Sequence, residues 1–344
     1  MPAWIIPLRR NKSLHDMDRR KFLGKAGGIA AGLGALYIAA TVPGCGTKDG
    51  GTAPDEESVP AEPTDIPTPQ ETAVPPAGLV VVKGANAANM LRAGLEAWGG
   101  LEVLNMDGKK VLIKVNGAFA RPPEDATTTN PDLVAEAVRQ CLAAGASRVT
   151  VFDHILQDLP DQTMQANGIA PAVQAAGAEL VAYAVRKPGS ARAIQIPGAS
   201  ALPSVDILEE IFLNDLIINM PKAKHHGGAG LSLSMKNFIG VTKDMGRMHG
   251  IDLHQAIAEL STVVRPALVI TDATNILLDH GPGGPGKVAN PGQVIIGRDP
   301  VAVDSYACGL FGKAPSSIGY ISHGERLGLG TTDYASLGVK ELST

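Results

Sequence analysis

Short, almost wholly apolar runs alternate with longer amphipathic stretches through most of this chain. Residues 79–83 (LVVVK), 110–115 (KVLIKV), 148–152 (RVTVF), 179–185, 215–219 (DLIIN), 268–271 and 294–296 are rich in β-branched and aliphatic side chains, and each is predicted to be a strand. Helical spacing of apolar positions predicts helices over 86–98, 131–144, 169–176, 205–212 and 300–311. Two of these helices open on a proline, Pro131 and Pro300, with Thr129 or Asn130 and then Asp299 as caps. Gly145, Gly177 and Gly312 stop their helices. Pro188, Pro197 and Pro203 make the portion before residue 205 less regular. Apolar runs that are continuous rather than alternating belong to strands covered on both sides. The expected fold class is therefore α/β: a mainly parallel, doubly wound (Rossmann-like) sheet with helices on both faces.

In such sheets ligands gather outside the carboxyl ends of the strands. Those ends carry Asn116, then Asp153 and His154, then Lys222 through His226, then Asp272 and Asn275. Four separate strands thus aim polar groups at one edge.

The third of these ends opens a stretch, residues 219–254, that holds four of the eight histidines (His225, His226, His249, His254) and five basic residues (Lys222, Lys224, Lys236, Lys243, Arg247). Only two acids, Asp244 and Asp252, accompany them. If Pro221 keeps the chain extended, a period of two places Lys222, Lys224 and His226 on one face and His225 on the other. That face suits a carboxylate or phosphate, and Gly227 to Gly230 would let backbone amides approach as an anion nest. Lys236 reads either as a solvated charge or as a desolvated base or nucleophile. Asp304, inside an apolar helix, needs a partner, with Lys236 or a backbone cap as candidates. His249 and His254 lack the spacing of a helical metal pair, and a divalent metal site would draw its ligands from His225, His226, Asp153 or Asp272. The string from Gly281 to Lys287 resembles a phosphate loop only superficially, because Val288 stands where Ser or Thr is required and two prolines remove amide donors. It reads as a rigid turn or lid.

Composition narrows the partners. Aromatic residues make up 4% of the 344 and the sequence pI is about 6.1, which excludes a stacking platform or a phosphate-backbone binder for nucleic acid. The three cysteines (Cys45, Cys141, Cys308) form no metal or cluster spacing, and the last two read as buried free thiols. Near the start, Arg19-Arg20-Lys21-Phe22-Leu23 precedes an Ala/Gly-rich apolar run, which resembles a twin-arginine export signal. The run closes on Val42-Pro43-Gly44-Cys45, similar to a lipobox apart from Pro43. Three regions are expected: a signal peptide over 1–45, a Pro/Thr/Glu-rich linker over 46–77 that is too polar to offset the entropy of ordering, and an α/β domain over 78–344. Export to the periplasm or cell surface, with lipid anchoring at Cys45, follows as an expectation. Residues 46–344 carry 23 Lys/Arg against 32 Asp/Glu, so the basic stretch lies in an acidic protein.

Five segments, KVLIKVN, TTTNPDLVAEAVRQCLAAGASRVTVFD, LIINMPKAKHHGGAGLSLSMKNFIGV, LVITDATNILLDHGPGGPGK and VIIGRDPVAVDSYACGLFG, occur in an order that resembles the DUF362 domain family over roughly residues 79–330. The resemblance carries over Lys114, Asn116, Thr129, Lys222, Lys224, His226, Lys236, Asn237, Gly240, His249, Asp272, Gly281, Asp299 and Asp304. Many relatives have a ferredoxin-like iron–sulfur domain. This chain lacks the cysteines, so no iron–sulfur cluster is expected in it, and any redox role would need a partner protein. The leading expectation is an enzyme for a small anionic substrate, metal-assisted or redox-linked, with His226, His249, Lys236 and Asp272 catalytic and Asn116, Thr129, Lys222, Lys224 and Asn237 holding the substrate. A non-catalytic anion- or metal-binding lipoprotein needs only the same residues.

Overall fold

A computed structural model describes residues 78–344, which lie within the unit Ala61–Thr344. The expected signal, lipobox cysteine and linker lie outside the described residues. Strand β1 (Leu79–Lys83) leads to helix α1 (Ala87–Trp98), whose cap is Asn86 accepting from the Asn89 amide, and on to β2 (Lys110–Val115). Helix α2 (Pro131–Ala143) starts on the Asn130 side chain, which accepts from the amides of Asp132 and Leu133. Then come β3 (Arg148–Ile155), α3 (Pro160–Ala166), α4 (Ile169–Ala176) and β4 (Glu179–Ala184). A separate hairpin, β5 (Ala191–Gln195) and β6 (Ser204–Leu208), precedes β7 (Leu216–Met220), β8 (Lys222–His226) and β9 (Gly230–Ser232). The chain continues through short helices α5 (Ser234–Asn237) and α6 (Met245–His249), then α7 (Leu253–Val263) and the long strand β10 (Leu268–Leu277). It closes with β11 (Val288–Ala289), β12 (Gln293–Gly297), α8 (Pro300–Cys308), α9 (Gly319–Arg326) and β13 (Val339–Ser343).

Eight strands lie side by side in the order β13-β1-β12-β10-β7-β2-β3-β4, with β8 and β11 branching from β10 and β9 pairing with β8. From β10 to β4 every pairing is parallel, as is β1 with β13; β12 alone on this path runs antiparallel to both neighbours. The mainly parallel α/β sheet expected from the sequence is thus present. Its two sides are both covered. Val80, Val82, Val111 and Ile113 pack against α1, α2 and α4, while Leu79, Val81, Leu112 and Ile217 pack against α5, α7, α8 and α9. This is why β1 reads as an unbroken apolar run: its four aliphatic side chains are all fully buried, each contributing about 1.5–3 kcal/mol relative to exposure.

One predicted helix is not a helix. Residues 205–212 form β6 and a single 3-10 turn, Glu209–Ile211. Val205 and Ile207 point into the core and Asp206 points out, and β6 pairs antiparallel with β5, a strand hidden in the proline-marked portion. The period of two wins because the hairpin supplies the backbone partners that isolated helix propensity ignores. Cys141 and Cys308 are free and buried, and burial pushes both thiols up to about 12.

The order of connections sets the site. From β2 the chain moves outward through β3 to β4, then returns to the other side of β2 with β7 and continues to β10. The direction of winding therefore reverses between β2 and β7, and the crevice at such a reversal is where open α/β sheets hold ligands.

Candidate functional site

A cleft of about 280 Å³ opens at this reversal, at the lower end of small-molecule cavities. The ends of β2 and β3, strand β8, helices α5 and α6 and the β10–β11 turn wall it.

Strand β2 contributes Lys114, a polar residue in a strand interior, with Asn116 just past the strand end. The Lys114 ammonium is buried and donates to Asp153 Oδ1 at 2.6 Å and to the Val115 carbonyl at 2.7 Å. Burial lowers its pKa from the ordinary lysine value, against the pull of Asp153. Asp153 in turn accepts from the amides of Gly117 (2.5 Å) and His154 (2.8 Å). Gly240 crosses this pair so closely that a Cβ there would stand 2.9 Å from both Asp153 Oδ1 and Lys114 Nζ. The ion pair is therefore complete without a ligand.

Asn116 is the hub of the floor. Its amide nitrogen donates to Asn237 Oδ1 at 3.1 Å, its oxygen accepts from Lys224 Nζ at 2.9 Å, and its backbone amide donates to Thr129 Oγ1 at 2.9 Å. Asn237 passes the network on to Asn219 Oδ1 at 2.8 Å. Lys224 also donates to the Thr127 carbonyl and lies 4.9 Å from the centre of the Phe119 ring, a cation–π contact. Its pKa falls well below the ordinary value, first through burial and then through the neighbouring Lys236 ammonium, while Asp153 opposes the shift.

Lys236 differs from both. It is 7% exposed and lines the cleft, yet among the described residues its amine makes no hydrogen bond or ion pair. Burial lowers it to about 8. Its helix, α5, is held from outside the cleft by Asp304 on α8, whose carboxylate accepts from the amides of Ser234 (2.8 Å) and Met235 (3.1 Å). A backbone cap, not Lys236, is thus the partner that Asp304 requires. Burial raises Asp304 to about 7, with those hydrogen bonds acting the other way.

Two imidazoles close the cleft, stacked at 28° with centroids 5.8 Å apart. His226 Nδ1 accepts from the amides of Gly228 and Ala229, both at 3.1 Å, which leaves the proton of the neutral ring on Nε2. His249 Nδ1 faces the Met245 carbonyl at 3.1 Å, a contact that in the neutral ring puts the proton on Nδ1 and leaves Nε2 as the acceptor. Burial, followed by the Lys236 charge, pushes His226 down to about 3, so it stays neutral at physiological pH. The glycine segment is therefore not a free anion nest. Its amides are spent on His226 and, for Gly227, on the Gly281 carbonyl at 3.3 Å.

Other expected site residues are placed elsewhere. Lys222 and Asp272 do not line the cleft: the ammonium donates to Asp272 Oδ2 at 2.9 Å and to Asn275 at 2.5 Å, both ion-pair partners being fully buried. Asp272 also accepts from the Asn130 amide (2.7 Å) and from the amide and hydroxyl of Thr274. Thr129 contributes through Asn116 and the Met220 carbonyl rather than to a ligand directly. The metal set of His225, His226 and Asp153 is not assembled. His225 accepts from the Gly281 amide at 3.1 Å, and the Asp153 oxygens are engaged by Lys114 and backbone amides. Among the described residues no group of three His, Cys, Asp or Glu side chains could hold a metal ion.

Phe119 and Met245 line the cleft without having been singled out from the sequence. They carry no local signal, because a loop aromatic or a methionine at a helix start acquires its role only from what packs opposite. The glycine-proline turn after β10 does reach the site: Pro282 lines it, and Gly281 sits where a Cβ would meet the His225 carbonyl oxygen at 1.8 Å.

Fold and cleft together define a doubly wound α/β domain with a basic, histidine-bearing cavity at its switch point. The chain belongs to the family described as Domain of unknown function (DUF362), whose profile matches residues 111–309. The thylakoid-associated protein sll1697 of Synechocystis sp. is 25% identical over 254 residues, covering 70% of this chain and 75% of that relative. The lactate racemase apoprotein of Thermoanaerobacterium thermosaccharolyticum superposes with a TM-score of 0.40 and 14% identity, over 67% of this chain and 56% of that one.

Proposed function

We propose that the cleft binds a small anionic substrate and transfers a proton on it. The observation that carries this reading is the unpartnered Lys236 amine, buried beside Lys224 in a wall whose one carboxylate, Asp153, is already engaged by Lys114. Buried charges are ordinarily paired, so the cavity lacks one negative group. A carboxylate or phosphate supplies it, held by Lys236 and Lys224 and by hydrogen bonds from the floor. His249, with Nε2 unprotonated, takes the substrate proton, and His226, with Nε2–H, donates a hydrogen bond to the oxygen on which charge develops.

Calorimetric titration of the full chain with acetate or inorganic phosphate tests the anion site. Anion binding raises the Lys236 pKa, so protons are taken up on binding near pH 8, and affinity falls by up to about tenfold per unit as pH rises beyond that value. Affinity that does not change across that range rejects the reading. Turnover of any anion that binds, lost in His249→Gln while binding persists, separates an enzyme from a binding protein.

Residues 1–45 and the linker belong to the same proposal: export through the arginine-pair segment and a lipid on Cys45 would hold the domain at a membrane surface. The name of the thylakoid-associated relative accords with a membrane-held protein. Labelling with a fatty-acid analogue, lost in Cys45→Ala, tests it.

A further inference from the structure

Four lysines are buried around the cleft and its neighbouring strand, and three have acceptors: Lys114 has Asp153, Lys222 has Asp272, and Lys224 has Asn116 with the Thr127 carbonyl. Lys236 has none among the described residues, although its helix is held at both ends. Asp304 holds the amides at its start, and Asn237 at its end is tied to Asn116 and Asn219. An amine on a rigid turn, drawn out of water and next to a second cation, is the arrangement that activates lysine as a nucleophile.

We infer that Lys236 forms an imine with the carbonyl carbon of an anion that bears both a carbonyl and a carboxylate, such as a 2-oxo acid. This rests on the anion-site reading and names its substrate class. Lys224, 4.9 Å from the Phe119 ring and anchored on Asn116, takes the carboxylate. The neutral Lys236 Nζ adds to the carbonyl carbon, and the carbon–oxygen π pair moves onto oxygen. One proton passes from nitrogen to that oxygen by way of His249 Nε2, while His226 Nε2–H steadies the oxygen. The proton left on the carbinolamine nitrogen then passes, again through His249 Nε2, to the hydroxyl, the carbon–oxygen bond breaks, water leaves, and the carbon–nitrogen double bond remains. Amine and carbonyl become imine and water, with no oxidant or reductant consumed. Burial leaves a useful fraction of Lys236 neutral near pH 7, where solvated lysines are almost entirely protonated.

The test is incubation of the full chain with glyoxylate or pyruvate and sodium cyanoborohydride, which reduces an imine to a stable secondary amine. Intact mass and peptide mapping then locate the adduct. One adduct at Lys236, forming roughly tenfold or more faster than at exposed lysines, is expected. Lys236→Met should abolish it. Lys236→Arg should also abolish it while still binding acetate, because the charge is retained and the nucleophile is not. Binding of acetate by the wild type with no adduct at Lys236, or with adducts only at other lysines, overturns the imine and leaves the anion site standing. Absence of both binding and adduct overturns the two together.

Discussion

Lys222 on β8 and Lys236 on α5 are both buried lysines, 14 residues apart in the sequence, and they meet opposite fates. Lys222 is enclosed with Asp272 and Asn275, which give its ammonium a carboxylate and an amide acceptor. Lys236 is almost as deeply buried but lines the cleft, and its amine has no hydrogen-bond or ion-pair partner among the described residues. For both, burial lowers the pKa, but only for Lys222 does a carboxylate pull against it. The first joins β8 to β10 where the sheet register shifts; the second stores an unfavourable interaction that a ligand can relieve. Charge in a core is thus no guide to function until its partner is known.

The sharpest way to break this contrast is to give Lys222 the condition of Lys236. Asp272→Ala strands a buried ammonium and also frees the Asn130 amide, so denaturant unfolding should show a loss of about 3–5 kcal/mol. Lys236→Met should act in the opposite direction. Its pKa is about 8 when folded against 10.5 for the ordinary value, so below pH 8 the folded state bears the full cost of charging a buried amine. Replacement should stabilise the ligand-free protein by about 3 kcal/mol at pH 7 while removing anion binding. The sign of the pH dependence follows. Between pH 8 and 10.5 the unfolded chain holds the proton that the folded one has lost, so wild-type stability rises across that window and the variant's rise is smaller.

Smaller effects sharpen the comparison by moving the scaffold rather than the charge. Asp304→Asn places an amide group where two backbone amides need an acceptor, costing about 1–3 kcal/mol in unfolding experiments. Because Asp304 positions α5, anion affinity should fall in the same variant, an effect that a remote destabilisation would not produce. Gly240→Ala puts a methyl group 2.9 Å from Lys114 and Asp153, with an expected cost of about 1–3 kcal/mol. Crystallography of that variant should show the ion pair displaced.

Much of this was legible in the residues alone because it is local. Continuous apolar runs mark strands buried on both sides; Asn130 and Asp299 cap the helices that follow them, and Gly177 closes α4, because caps act across two or three residues. The polar groups at strand ends, Asn116, Asp153, Lys224 and His226, could be gathered at one edge in advance, since in a parallel sheet every strand end of that kind points the same way. What only the tertiary structure decided is who partners whom. Asp272 lies 50 residues from Lys222, and Asp304 lies 70 from the Ser234 amide it holds. The β5–β6 hairpin and the reversed direction of β12 likewise depend on distant backbone. Periodicity assigns a side chain to a face, but ionic and hydrogen-bond partners are chosen by strand order, and that order left Lys236 without one among the described residues.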